Sequence, residues 1–195
     1  MNDDIGLELA TRTNLQWHVL FHNHVKKAMS ANLNQLLESD EVDNSSKLYW
    51  KEVYSNQFSQ ELRKTTFLLF FGHLEETLLL LQKVKCWETK DLATGYGIAK
   101  FKPMIKELLG VPLGDYEHYE LLLDAQLVRN SFLHVAGRLS ISKDYEKLSS
   151  VLNKRKELYI VKHDRIQVTP KGLLKLQEAV CAITNDLAKG GKKVE

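Results

Sequence analysis

Apolar positions recur along this chain mostly at intervals of three and four residues, the repeat of a helix that buries one face. Residues 13–37 carry that periodicity and lose it at the polar stretch Glu38 to Ser46. It resumes over 46–83, where Phe67, Phe71, Leu74, Leu78 and Leu81 step by four, three, four and three. This predicts a second long helix with a deeply buried stripe. Thr94-Gly95-Tyr96-Gly97 reads as a loop. Residues 98–109 read as a short helix, disturbed near Pro103 and stopped by Gly110-Val111-Pro112-Leu113-Gly114. A third apolar helix is predicted from Asp115, as its N-cap, to Ala136, with Gly137 supplying the stop.

The character then changes. Residues 144–154 suit a small helix, while Glu157 to Val161 and Arg165 to Thr169 favour strands on either side of Lys162-His163-Asp164. A β-hairpin is expected there. Thr169-Pro170 reads as N-cap and first residue of a last helix over 170–188. The basic tail, 189–195, is expected to be disordered. Three prolines and ten glycines leave few breaks, so helices should dominate. The expected fold class is all-α: one helical domain over 1–188, with an N-terminal helix 13–37, a core 46–188 and a small β-hairpin before the C-terminal helix.

Composition narrows the choice. The chain is 44% apolar and 27% charged, ordinary for a globular protein, and its formal charge is only +2. That charge is too small to imply an overall polyanion binder, so any nucleic-acid surface has to be a local patch. Lys143, Lys147, Lys154, Arg155, Lys156, Lys162 and Arg165 are candidates for one. Two cysteines, Cys86 and Cys181, make no disulfide framework and suit a cytoplasmic location. The N-terminus is acidic and lacks the apolar segment of a secretory leader. The longest apolar stretch, Phe67 to Leu81, is interrupted by His73, Glu75 and Glu76 and falls short of the ~20 residues a membrane span needs. No membrane partner is expected.

Candidate chemistry concentrates in the helix expected from Asp115 to Ala136, at Arg129-Asn130 and His134. Leu121, Ala125, Val128, Phe132 and Val135 share the face expected to be buried, whereas Leu123, Leu127, Asn130 and His134 share a roughly opposite one. A second, half-apolar face implies a cover, from the same chain or from a second subunit. Arg129 lies about 140° around the helix from His134, so the two need not touch. Histidine moves protons near neutral pH, arginine steadies a charged phosphorane through paired N–H donors, and asparagine orients either one. Such a set suits the needs of RNA cleavage through its own 2′-hydroxyl, for which no metal is required.

Other candidates are weaker. His18, His22 and His24 have no nearby cysteine and no H-E-x-x-H arrangement, so they read as a polar helix face and not as a zinc site. No metal and no cofactor are expected. Cys86 reads as structural. Tyr116, His118 and Tyr119 offer either base stacking or packing.

Residues 128–139, VRNSFLHVAGRL, resemble the RN-x-x-x-H-x-x-G helix end of a prokaryotic subgroup of the HEPN superfamily. The helix bearing Leu74-Glu75-Glu76-Thr77-Leu78 is similar to that family's first core helix, which commonly carries an acid. Segment 98–113 and helix 170–188 parallel its other elements. The likeness spans roughly 60–190 in element order and about a dozen residues in specific motif. It implies a helical bundle that dimerises through the motif helices, with Arg129 and His134 catalytic, Asn130 their polar support and Glu75 a weaker candidate. It further implies a homodimeric RNA endonuclease of defence or toxin–antitoxin type, with RNA and an antitoxin or partner protein as ligands. A catalytically inactive module that binds RNA, a nucleotide or a partner protein is the other reading of the same likeness.

Overall fold

The computed structural model describes residues 3–189. Helix α1 spans Asp3–Glu38 and α2 spans Asn44–Glu52. A π-helical turn, Val53–Phe58, leads without a break into α3, Ser59–Val84. After two short 3-10 turns come α4, Lys102–Leu109, and α5, Tyr119–Val135. Then follow α6, Tyr145–Lys154, strands β1, Tyr159–Lys162, and β2, Arg165–Val168, and finally α7, Pro170–Ala188. The fold is all-α with one two-stranded hairpin before the last helix. Most of the expected tail lies outside the described residues. Among the described residues no helix is long and apolar enough to cross a membrane.

Helix α3 is the axis of the bundle, packing against α1, α5, α7 and β2. Its predicted stripe, Phe67, Phe71, Leu74, Leu78 and Leu81, is buried throughout. Phe67 meets the ring of Phe132 on α5 at 5.7 Å and that of Tyr159 on β1 at 6.2 Å, both edge-on. These contacts tie the axis to the motif helix and to the hairpin. In the hairpin, Lys162 faces Arg165, and the connecting His163 and Asp164 both adopt positive φ, 51° and 62°. That is the two-residue geometry whose twist matches antiparallel strands. The C-terminal helix starts as expected, with the Thr169 hydroxyl accepting from the Gly172 amide at 3.0 Å.

Several boundaries differ from the sequence reading. Helix α1 begins at Asp3 and not at 13. Gly6, Thr11 and Thr13 are poor helix formers, but Thr11 and Leu15 are buried, and tertiary packing overrides propensity. The second helix begins at Asn44, where Asp43 caps the Ser45 and Ser46 amides, and the π-turn interrupts it. Residues 98–109 are a 3-10 turn, Gly97–Phe101, followed by α4, with Pro103 accommodated in the first turn.

Asp115 does not cap the motif helix. It closes a 3-10 turn, Leu113–Asp115, anchored by buried Leu113, and the helix starts four residues later at Tyr119. Its end is also shared: Ala136, at φ 52°, enters the left-handed region before Gly137 at φ 76°. Both of their amides donate to the Ser131 carbonyl, so the last turn, which carries His134, is widened.

Candidate active site

The buried arc of α5 consists of Leu122, Ala125, Val128, Ser131 and Phe132. Leu121 and Val135, expected inside, are only partly covered. The arc is turned toward Leu122 because α3, α6 and α7 all pack on this helix. Arg129 is left at the edge that faces α3, and Asn130 and His134 on the uncovered side.

Arg129 is held from two directions. One guanidinium nitrogen donates to Glu75 Oε2 at 2.7 Å and the other to Asn130 Oδ1 at 3.1 Å. The guanidinium also lies 5.9 Å from the centre of the Phe71 ring, at the limit of a cation–π contact. The side chains of Arg129 and Glu75 are about one-quarter exposed, 25% and 26%. The pair is therefore half-sheltered but reachable. Glu75, which sequence reasoning ranked last among the site residues, makes the shortest contact to Arg129.

Asn130 faces both ways. Its oxygen takes the Arg129 hydrogen bond, and its side chain lines a groove of about 500 Å³ between α5 and the segment leading into α6. His134 and Ser131 share that wall, Lys143 and Asp144 stand opposite, and Leu127 and Leu148 form the apolar floor. His134 is exposed, and among the described residues its imidazole accepts or donates no hydrogen bond. Ser131 Oγ is buried and has no partner.

Thus Glu75, Arg129 and Asn130 are joined by direct bonds, and Asn130 and His134 share one groove. Nothing bonds Arg129 to His134. Ser131 and Asp144 were missed by the sequence reading. Ser131 stands inside the Arg-Asn-x-x-x-His spacing at a position treated as free, and only its burial at a groove wall distinguishes it.

The expected basic patch is neutralised only in part. Lys147 lies 3.6 Å from Asp144, Lys154 pairs with Glu120, and Arg155 Nε donates to Asp124 at 2.9 Å. Arg165 is turned onto the Ala136 carbonyl. Lys143, Lys156 and Lys162 remain exposed without a carboxylate contact among the described residues. Tyr116 packs partly buried against the core, and its hydroxyl donates to Asp186 at 2.9 Å.

The three N-terminal histidines do not converge. His18 packs edge-on against His73, His22 Nδ1 meets Thr66 Oγ1 at 2.8 Å, and His24 is exposed. Among the described residues no group of three or more His, Cys, Asp or Glu side chains is placed to hold a metal ion.

Comparison with known proteins adds nothing to this geometry: no family model, curated protein or solved structure matches the chain.

Proposed function

We propose that this protein is a metal-independent RNA endonuclease that works as a homodimer in the cytoplasm, in a prokaryotic defence or toxin–antitoxin setting. The observation that carries the reading is the relay from Glu75 through Arg129 to Asn130, with Asn130 and His134 lining one groove. The likeness of residues 128–139 to the HEPN motif supports it.

In the reaction the RNA 2′-oxygen attacks the adjacent phosphorus and loses its proton. The P–O5′ bond breaks, and the leaving oxygen gains a proton. The products are a 2′,3′-cyclic phosphate and a 5′-hydroxyl. His134 performs one of the two proton transfers, and Arg129 donates to the phosphorane oxygens. Glu75 and Asn130 hold the guanidinium in place beforehand.

The dimer reading rests on apolar exposure around the ion pair. Leu79, one turn after Glu75, is 51% exposed, and Leu133, one turn after Arg129, is 50% exposed. Self-association through this face covers both and brings two copies of the groove close together.

A second reading draws on the engagement of Arg129 by Glu75. A site whose charges are already matched suits an inactive module that binds RNA, a nucleotide or a protein partner such as an antitoxin. Purified protein incubated with RNA in EDTA separates the two. The nuclease reading expects cleavage by wild type and none by His134→Ala or Arg129→Ala variants that keep their circular-dichroism spectrum. Absence of cleavage by wild type across structured and unstructured RNAs supports the binding module.

A further inference from the structure

A cluster of basic side chains lies away from the motif helix, where α1, α3 and the start of α7 meet. His22 and Lys26 from α1 and Arg63 from α3 line one groove of about 240 Å³, with Ser59 beside them and Pro170 of α7 at its edge. A trough of about 170 Å³ continues from it, sharing Lys26 and Ser59 and lined by Met29, Leu33 and Tyr54. No carboxylate lines either depression.

That absence is informative, because basic residues nearby are paired. Lys171 and Lys175 on α7 contact Glu157 and Glu178, at 2.8 Å and 2.6 Å. Arg63 instead spends only its Nε, on the Val168 carbonyl at 2.9 Å. Its terminal nitrogens have no partner among the described residues. The Thr66 hydroxyl donates to the Leu62 carbonyl, so it accepts from His22 Nδ1–H and leaves Nε2 as the unengaged ring nitrogen. Burial first, and then the charges of Lys26 and Arg63, push the His22 imidazole below its usual range. The N-terminus of α7 adds the positive end of a helix dipole. Lys26 and Arg63 repel one another without a counter-ion; a bound anion relieves that repulsion and favours protonation of His22 Nε2, which then donates to it.

Size and shape narrow the ligand. Either depression alone is smaller than the ~300 Å³ at which small-molecule sites begin, and the two together exceed it. The cationic end suits a compact dianion. The continuing trough has an aromatic ring and two aliphatic side chains, with the Ser30 and Ser55 hydroxyls beside them. The π-turn Val53–Phe58 sets this shape, carrying Tyr54 and bonding its carbonyl to the Ser59 hydroxyl at 2.9 Å. Such turns recur at functional sites.

We propose that this groove binds a nucleoside 5′-monophosphate, its phosphate on His22, Lys26 and Arg63 and its base in the Tyr54 trough. The site is independent of the nuclease reading and shares no residue with the motif groove.

Isothermal titration calorimetry on the intact chain tests it, using the four nucleoside 5′-monophosphates, inorganic phosphate and adenosine as probes. At least one nucleotide is expected to bind about tenfold more tightly than inorganic phosphate, with adenosine undetected and with affinity falling as salt rises. Lys26→Glu, a change at an exposed position, should abolish binding. Arg63→Gln should weaken it about tenfold where melting confirms the fold. His134→Ala should bind as wild type does. The proposal is overturned by no nucleotide binding, by equal affinity for phosphate and nucleotide, by retained binding in Lys26→Glu, or by loss of binding in His134→Ala.

Discussion

The guanidinium of Arg129 lies 2.7 Å from the carboxylate of Glu75, 54 positions earlier in the chain, and this contact ties the flank of the motif helix to α3. Without it a flanking arginine would sweep a wide arc. With it, and with the second bond to Asn130, the planar donor set is fixed beside the groove that His134 lines.

If Glu75 is a positioning residue, its removal should act on turnover more than on affinity. Glu75→Ala is expected to lower kcat for RNA cleavage about tenfold, near 1.4 kcal/mol, with KM little changed. Glu75→Asp should restore part of the loss. Cleavage kinetics on one RNA measure both. An unchanged kcat in Glu75→Ala would assign the pair to stability alone.

Dimerisation through the motif face predicts that charge at its apolar flank breaks the assembly. Leu133→Glu places a carboxylate on an exposed position, so the fold should persist while the dimer is lost. Light scattering coupled to gel filtration reads the mass, and cleavage should fall in parallel. A monomeric wild type would remove this part of the account.

Stability should decline in mild acid because of His73. This imidazole is 3% exposed, neither ring nitrogen has a partner, and burial with the neighbouring His18 lowers its value to about 4 from 6.5. The unfolded chain therefore binds the proton first, so stability falls as pH drops from about 6.5 toward 4. The facing His18 is itself shifted down by burial, with Glu76 opposing. His73→Leu should remove a part of the acid loss on the order of 2 kcal/mol and cost little at pH 7. Urea unfolding at pH 7 and pH 4.5, wild type beside variant, gives the difference. Identical pH slopes in the two proteins would refute this assignment.

Gly172 marks a close backbone approach between α7 and Leu158, just before the hairpin. A Cβ there would sit 2.2 Å from the Leu158 carbonyl oxygen, backbone that cannot swing aside. Gly172→Ala is expected to destabilise by more than about 2 kcal/mol. Thermal and urea melts test this, with Gly114→Ala, which meets nothing within 4 Å, as the contrasting case.

The helical repeat, the Thr169-Pro170 start and the strand-favouring runs around His163-Asp164 were legible because each is a local preference that agrees with the packing. The start of α1 was not, since Thr11 and Leu15 hold that end of the helix through their burial, not through propensity. The π-turn at Val53–Phe58 leaves no mark in a period count. Arg129, Asn130 and His134 could be singled out from spacing. The bond to Glu75 and the groove wall at Ser131 could not, because both depend on which arc of α5 its neighbours cover.

The most direct measurement is the chemistry of the RNA ends. Wild-type protein in EDTA should leave 2′,3′-cyclic phosphate and 5′-hydroxyl termini, detected by mass spectrometry of a defined oligonucleotide. A folded, dimeric His134→Ala should leave the substrate intact. Products ending in 3′-hydroxyl and 5′-phosphate, or cyclic phosphate formed equally well by His134→Ala, would contradict the mechanism.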